Sequence, residues 1–337
     1  MAFKKSLGFI LSYDYLKPSF CHDLLPILEN SSFTHVFVPE LWGHDAFTQV
    51  TSMVNKSSDI IFGTGIVNLF SRTPATLAQT AASIFEISEG RFILGLGLSG
   101  PIVVKNWHGL SYYDPSPLQR SREYLEILRL IFSGERVNYS GGIYQLKNFR
   151  LKNFRTPLDI QIFLAALGPK NIELAGELAD GWFPIWVPIS EISTLLSILA
   201  QGKKKRNPIL SQEFVTSPFI ITCASQSVKA KTLVKKHLAY YVGGMGTFYN
   251  NLMKRLGFSN EADKIMNAWK VGNRELAAQQ VSDSMLEQIA IIGKPEEVRD
   301  RYLQLYQNDI NLPVAMLPYN CPPDFAIDTI GALAYLF

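Results

Sequence analysis

The feature that most constrains this chain is a strict alternation of short apolar runs with longer segments of helical spacing. Apolar runs of strand length occur at 7–12, 35–39, 60–65, 92–98, 160–166, 182–186, 214–223 and 312–317. Between them, apolar residues recur at helical spacing over 20–29, 45–55, 74–87, 117–132, 169–179, 191–200, 228–241 and 295–307. The runs are nearly continuous in apolar residues, the pattern of parallel strands buried on both faces. Eight such units predict an α/β fold, a TIM (β/α)8 barrel with insertions, in which Pro322 onward closes as a helix. A length of 337 residues accommodates such a barrel as a single domain over 1–337. Ser140-Gly141-Gly142 between two short β-like arms predicts a hairpin outside the barrel. Residues 101–116, with Pro101, Gly109 and Pro115, read as irregular. Residues 243–290 read as an all-helical insertion entered through the glycine-rich loop 243–246.

Composition removes several classes of function. A formal net charge of +3 is too small to argue for nucleic acid. The one dense basic run, Lys203-Lys204-Lys205-Arg206, reads as a solvated loop after a helix. Cys21, Cys223 and Cys321 are far apart, and no Cys/His spacing suits a metal, so reduced thiols in a cytoplasmic protein are expected. No charge-free apolar stretch reaches 18 residues, so no membrane span is expected. Lys4 and Lys5 precede an apolar run broken by Asp14 with no small-residue cleavage site, so no signal peptide is expected.

In a barrel of this kind the chemistry sits at the C-terminal ends of the strands. There the sequence places Tyr13-Asp14, Glu40-Leu41-Trp42, Thr64-Gly65-Ile66-Val67-Asn68, Gly97-Leu98-Ser99-Gly100 and Ala166-Leu167-Gly168-Pro169-Lys170. The set is rich in glycine and poor in nucleophiles, which suits a bound cofactor. Gly95, Gly97 and Gly100 spell GxGxxG, but a dinucleotide fingerprint needs a helix opening at the last glycine, and the next helical signal begins at Pro117. Close backbone approach explains these glycines better. Pro169 would be the first helical residue; the free N–H groups of Lys170 and Asn171 and the Lys170 ammonium make either an anion site or a plain helix start. Glu40 could accept hydrogen bonds from a ligand, handle a proton, or serve as a helix N-terminal acid. His44 and Asp45 follow one turn on, Asp45 as a helix cap. His108 reads as a surface residue and Asp180 as a turn residue at the opposite end of the barrel.

Several blocks together carry a family resemblance: GTGIVNLFSRTPATLAQTAASIFEISEGRFILGLGLSGP over 63–101, WHG over 107–109, REYLEILR over 122–129 and LAALGPKNIELAGELADGW over 164–182. The chain resembles the luciferase-like monooxygenase family, and within it the deazaflavin-dependent branch that includes methylenetetrahydromethanopterin reductase. The resemblance implies a homodimeric TIM barrel that binds coenzyme F(420) or FMN at the strand ends. It implies a backbone bulge after the third strand, with a non-prolyl cis peptide at Gly65–Ile66. It raises the phosphate reading of Gly168 to Lys170 and places Glu40 beside the cofactor. Where the branch frequently carries Arg-Asp-Ala-Phe, this chain has His44-Asp45-Ala46-Phe47.

The resulting expectation is an oxidoreductase moving hydride between F(420) and a small organic substrate, methylenetetrahydromethanopterin being one option. An FMN-dependent monooxygenase and a catalytically silent flavin-binding relative are the alternatives. Thr64 to Asn68 and Gly97 to Gly100 would hold the ring, Ala166 to Lys170 the phosphate, and Glu40 with His44 would handle protons. The substrate would enter between 101–116 and 243–290. No metal, nucleic acid or membrane partner is expected.

Overall fold

The computed structural model describes residues 5–11, 17–208, 210–211 and 213–337; Lys4, Ser12, Tyr13 and Asp14 lie outside the described residues. The strands are β1 (Leu7–Ile10), β2 (Phe33–Val38), β3 (Ile61–Thr64), β4 (Val67–Asn68), β5 (Phe92–Gly97), β6 (Val137–Ser140), β7 (Gln145–Phe149), β8 (Gln161–Leu164), β9 (Gly181–Trp182), β10 (Val215–Thr216), β11 (Phe219–Cys223), β12 (Ala290–Ile292) and β13 (Val314–Met316). A curled parallel sheet runs in the order β10-β9-β8-β5-β3-β2-β1-β13-β11-β12, with β4 on β5. The β6–β7 hairpin stands apart as an antiparallel pair.

The sheet curls around its own apolar plug. Ile10, Phe37, Ile93, Phe163, Phe183, Val215, Phe219, Leu312 and Val314 form an inner cluster. Phe37, Phe163 and Phe219 each bring a ring within 4.8–6.3 Å of another ring of this cluster. A second, larger core joins the outer strand faces to the helices. Helices start where side chains or proline remove orphan N–H groups. Asp45, Thr73 and Ser227 accept from the third residue of their helices, and Pro74, Pro117, Pro169 and Pro295 open theirs.

Four expectations need correction. First, 101–116 is not wholly irregular, since Pro101–Asn106 is helical with Gly100 at its N-cap. Proline at the first helical position needs no N–H partner, so its presence marked a helix start. A short helix thus does open at the last glycine of GxGxxG, while Gly95 is held against Thr64 of the neighbouring strand by two hydrogen bonds, the close approach expected of it. Second, the run 214–223 is split at Ser217-Pro218, because proline has no N–H for a ladder. β10 pairs with β9, while β11 pairs with β13 and β12. Ser217 N–H and Phe219 N–H still donate to Trp182 and Pro184 carbonyls at 2.9 and 2.8 Å, and Ile185 bridges Phe219. Third, 182–186 forms a continuous strand only at its start, in β9; beyond it Ile185 keeps a single bridge, and Trp186 turns left-handed with φ 55°. Fourth, the helical insertion ends in a strand, β12, and Tyr240–Gly244 is a π-helical turn rather than part of a loop.

Candidate cofactor cavity

A cavity opens at the C-terminal ends of the parallel strands. Its floor comes from Ile10, Leu11, Pro39, Glu40, Leu41, Gly65, Ile66, Ser99, Gly100 and Ala165. Phe183, Ile185, Phe219, Met316, Leu317 and Tyr319 continue the wall, and His237, Tyr241, Met245 and Tyr249 complete it. The lining is mostly apolar; among the described residues Glu40 is its one acid, and no lysine or arginine belongs to it.

The floor is shaped by a bulge between β3 and β4. Gly63 pairs with Ile93 and Val67 with Leu96, so the β3–β4 segment holds one residue more than its partner. Within it the Gly65–Ile66 peptide is cis, at the bond the resemblance named. Gly65 N–H donates to Val38 O at 2.8 Å. A side chain at Gly65 would lie 2.9 Å from Ile10 Cδ1 and 3.0 Å from Phe37 Cβ, so the floor has no room for one. Thr64 is fully buried and faces β5: its hydroxyl donates to Gly95 O at 2.7 Å and accepts from Gly95 N–H at 2.9 Å. The expected residues thus divide. Gly65, Ile66, Ser99 and Gly100 line the cavity, whereas Thr64 and Val67 build the wall behind it. Asn68 accepts from Phe70 and Ser71 N–H at 2.9 and 2.8 Å, and its amide meets His108 Nε2 at 3.2 Å. Gly97 is buried beneath Ile66, and Leu98 packs against the larger core. Ser99 is left-handed at φ 60°, a conformation uncommon for a residue other than glycine and kept where the surroundings impose it.

Glu40 reaches the cavity wall already paired. Arg72 clamps its two carboxylate oxygens at 2.6 and 2.9 Å, and Asp45 binds the same guanidinium at 2.5 Å. Ala46 N–H adds a bond to Glu40 at 3.3 Å. Arg72 was not singled out from the sequence; its place one residue before the helix-capping Thr73 was the available signal. His44 is exposed and does not line the cavity.

The anion-site residues sit at the start of helix Pro169–Leu178. Lys170 is exposed, and no ion pair holds its ammonium among the described residues. Asn171 N–H donates to Gly168 O at 3.0 Å, so of the two N–H groups expected to be free only that of Lys170 remains. Ala166 accepts from Trp182 Nε1 at 2.8 Å, which fixes the strand end behind this turn. Gly168 and Lys170 do not belong to the cavity lining.

The wall formed by His237, Tyr241, Met245 and Tyr249 escaped the sequence reading. These residues come from helix Val228–Ala239, the π-turn and the start of helix Phe248–Arg255. The π-turn adds a residue per turn. Burial pushes the Tyr249 phenol up to about 12, so it stays protonated at neutral pH. No group of three or more His, Cys, Asp or Glu able to hold a metal occurs among the described residues. No helix among them is long and apolar enough to cross a membrane.

Residues 17–310 match the family of luciferase-like monooxygenases. The chain belongs to that family. It is 33% identical over 314 residues to a Mycobacterium tuberculosis protein named as a coenzyme F(420)-dependent oxidoreductase, covering 87% of this chain and 89% of that one. It is 28% identical over 321 residues to a 5,10-methylenetetrahydromethanopterin reductase of Archaeoglobus fulgidus, covering 90% and 91%. Among solved structures, the F(420)-dependent tetrahydromethanopterin reductase of Methanopyrus kandleri superposes with TM-score 0.83 over 99% of both chains at 21% identity, which shows a shared fold.

Proposed function

We propose that this chain is an F(420)-dependent oxidoreductase acting on a small organic substrate. The observation that carries the reading is the apolar cavity whose floor is bare backbone at Gly65 and Gly100, at the C-terminal ends of a curled parallel sheet. Two of the proteins named above, from Mycobacterium tuberculosis and Methanopyrus kandleri, carry F(420) dependence in their names, and the residues present fit a flat ring. Gly65 admits no side chain, and Ile66 and Ala165 offer apolar contact. Lys170 and the helix start at Pro169 suit the phosphate. Bound F(420) supplies a carbon-centred hydride carrier. The chain's own task is then to hold donor and acceptor carbons in line and keep water out. Glu40, neutralised by Arg72, gives a polar edge at which a proton can be held. His44 stays in the proposal as a second proton-handling residue, exposed and outside the cavity lining.

The same reading takes the curled sheet as a closed (β/α)8 barrel in one domain, with 243–290 as its insertion. The β9–β10 pairing and the bonds from Ser217 and Phe219 support closure. It also takes the protein to be homodimeric and cytoplasmic.

Titration of the purified protein, followed by cofactor absorbance, is expected to show binding of F(420) at least tenfold tighter than FMN. The reverse preference would make it an FMN-dependent monooxygenase. Tight F(420) binding without reduction by any of a panel of pterins, alcohols and sugar phosphates would favour a silent relative. Lys170→Ala is expected to weaken F(420) binding about tenfold, equivalent to about 1.4 kcal/mol, and to reduce its salt dependence. Unchanged affinity would remove Lys170 from the site.

A further inference from the structure

His237 lines the cavity, and the mechanism above gives it no part. Its ring is 5% exposed, stacked on Tyr241 at 5.0 Å and edge-on to Trp186 at 6.0 Å. Tyr319 N–H donates to its Nδ1 at 2.9 Å. An imidazole that accepts at Nδ1 carries its hydrogen at Nε2. That Nε2 is buried and has no hydrogen-bond partner. Burial also pulls the imidazole down to about 3, so it is neutral at physiological pH.

A buried donor without an acceptor is costly, and native structures rarely keep one without a reason. Here the ring that carries the donor belongs to a cavity wall that also includes Phe183, Phe219, Tyr241, Met245 and Tyr249. An acceptor that arrives with a ligand would satisfy it. Among the described residues no lysine or arginine lines the cavity to hold an anion, and Arg72 is taken up by Glu40 and Asp45.

We propose that His237 is a specificity-determining residue whose Nε2–H binds a neutral carbonyl or hydroxyl oxygen of the substrate. Tyr319 is the positioning residue that fixes its tautomer. The inference rests on the substrate sharing this cavity with F(420), and it adds a preference: uncharged oxygen-bearing substrates over carboxylates and over hydrocarbons of the same shape.

The test uses cyclohexanone and its isostere methylenecyclohexane, which lacks the oxygen. Binding is followed on the full-length protein with 15N-labelled histidine, without cofactor. At pH 7 the His237 signals should report a neutral Nε2–H ring. The ketone should bind about tenfold tighter than the isostere and shift the Nε2 resonance. His237→Phe keeps an aromatic ring beside Tyr241 and should bring the two probes within about twofold of each other. His237→Gln, which offers an N–H near the same place, should recover part of the preference and serves if the Phe variant does not fold. An Nδ1–H or charged ring in the native protein, equal binding of the two probes, failure of both to bind at millimolar concentration, or a preference that survives in His237→Phe would each overturn the proposal. Because these readouts need no F(420), a protein that prefers the ketone yet ignores F(420) would sink the redox reading and leave the anchor standing.

Discussion

Gly95→Ala is expected to destabilise the protein by roughly 3 kcal/mol or more, at or beyond the upper end of ordinary overpacking. A Cβ at position 95 would lie 1.9 Å from Thr64 O and 2.8 Å from the Phe183 ring. The nearer atom is backbone, and it belongs to the strand that leads into the bulge. It cannot rotate away as a side chain can. Relief requires β3 and β5 to part, which breaks both bonds between the Thr64 hydroxyl and Gly95. The adjoining Gly65 and Ile66 would move with β3, so cofactor binding should fall together with stability. Gly331→Ala is the matching control: nothing lies within 4 Å of its added carbon, and the site is an exposed turn of helix Pro323–Ala334. That change should stabilise by about 0.5–1 kcal/mol. Urea midpoints measure both. A Gly95→Ala protein within about 0.5 kcal/mol of the parent would show that the strand contact is slack.

Much of the fold was legible because parallel strands leave a strong pattern. β2, β5 and β8 lie in nearly continuous apolar runs, and helices Pro74–Ile87 and Pro117–Phe132 announce themselves with proline at the first turn. Part of the cavity floor was also legible, since glycine at 65 and 100 signals close approach. The bulge and the cis bond at Gly65–Ile66 came from the family resemblance, not from residue pattern. What stayed hidden depends on contacts distant in sequence. Arg72 meets Glu40 across 32 positions, and Tyr319 reaches His237 across 82. No local period encodes such pairs. The π-turn hid for another reason: Tyr240-Tyr241-Val242-Gly243-Gly244 reads equally as a helix end and a loop.

Asp180 illustrates the same limit and carries the second large effect. In sequence it looked like a turn residue between helix and strand, at the end opposite the cavity. In the fold it is a buried hub. One carboxylate oxygen accepts from Arg129 and from Ile162 N–H, both at 2.8 Å; the other accepts from Arg206 at 3.2 Å. The Arg206 side chain is 3% exposed, and burial pulls its guanidinium below the usual range. Arg206 also donates to the Ala179 carbonyl and to Ser211 O at 2.9 Å, so it is held in place by more than the ion pair. Removing the acid therefore strands a cation that cannot easily turn to water. Asp180→Ala should cost about 3–5 kcal/mol, the range for breaking one side of a buried pair. Asp180→Asn keeps an acceptor for Ile162 N–H but not the charge, and should lose somewhat less. Glu173→Gln, which breaks an exposed pair with Lys205, should cost no more than about 1 kcal/mol. Because the hub lies at the far end of the strands, F(420) affinity of the folded fraction should be unchanged in all three. If Asp180→Ala and Glu173→Gln shift the urea midpoint equally, the two arginines find other partners and the hub is not what holds this end of the sheet. A loss of F(420) affinity in the folded Asp180→Asn protein would instead couple this end of the sheet to the cavity, against the separation argued here.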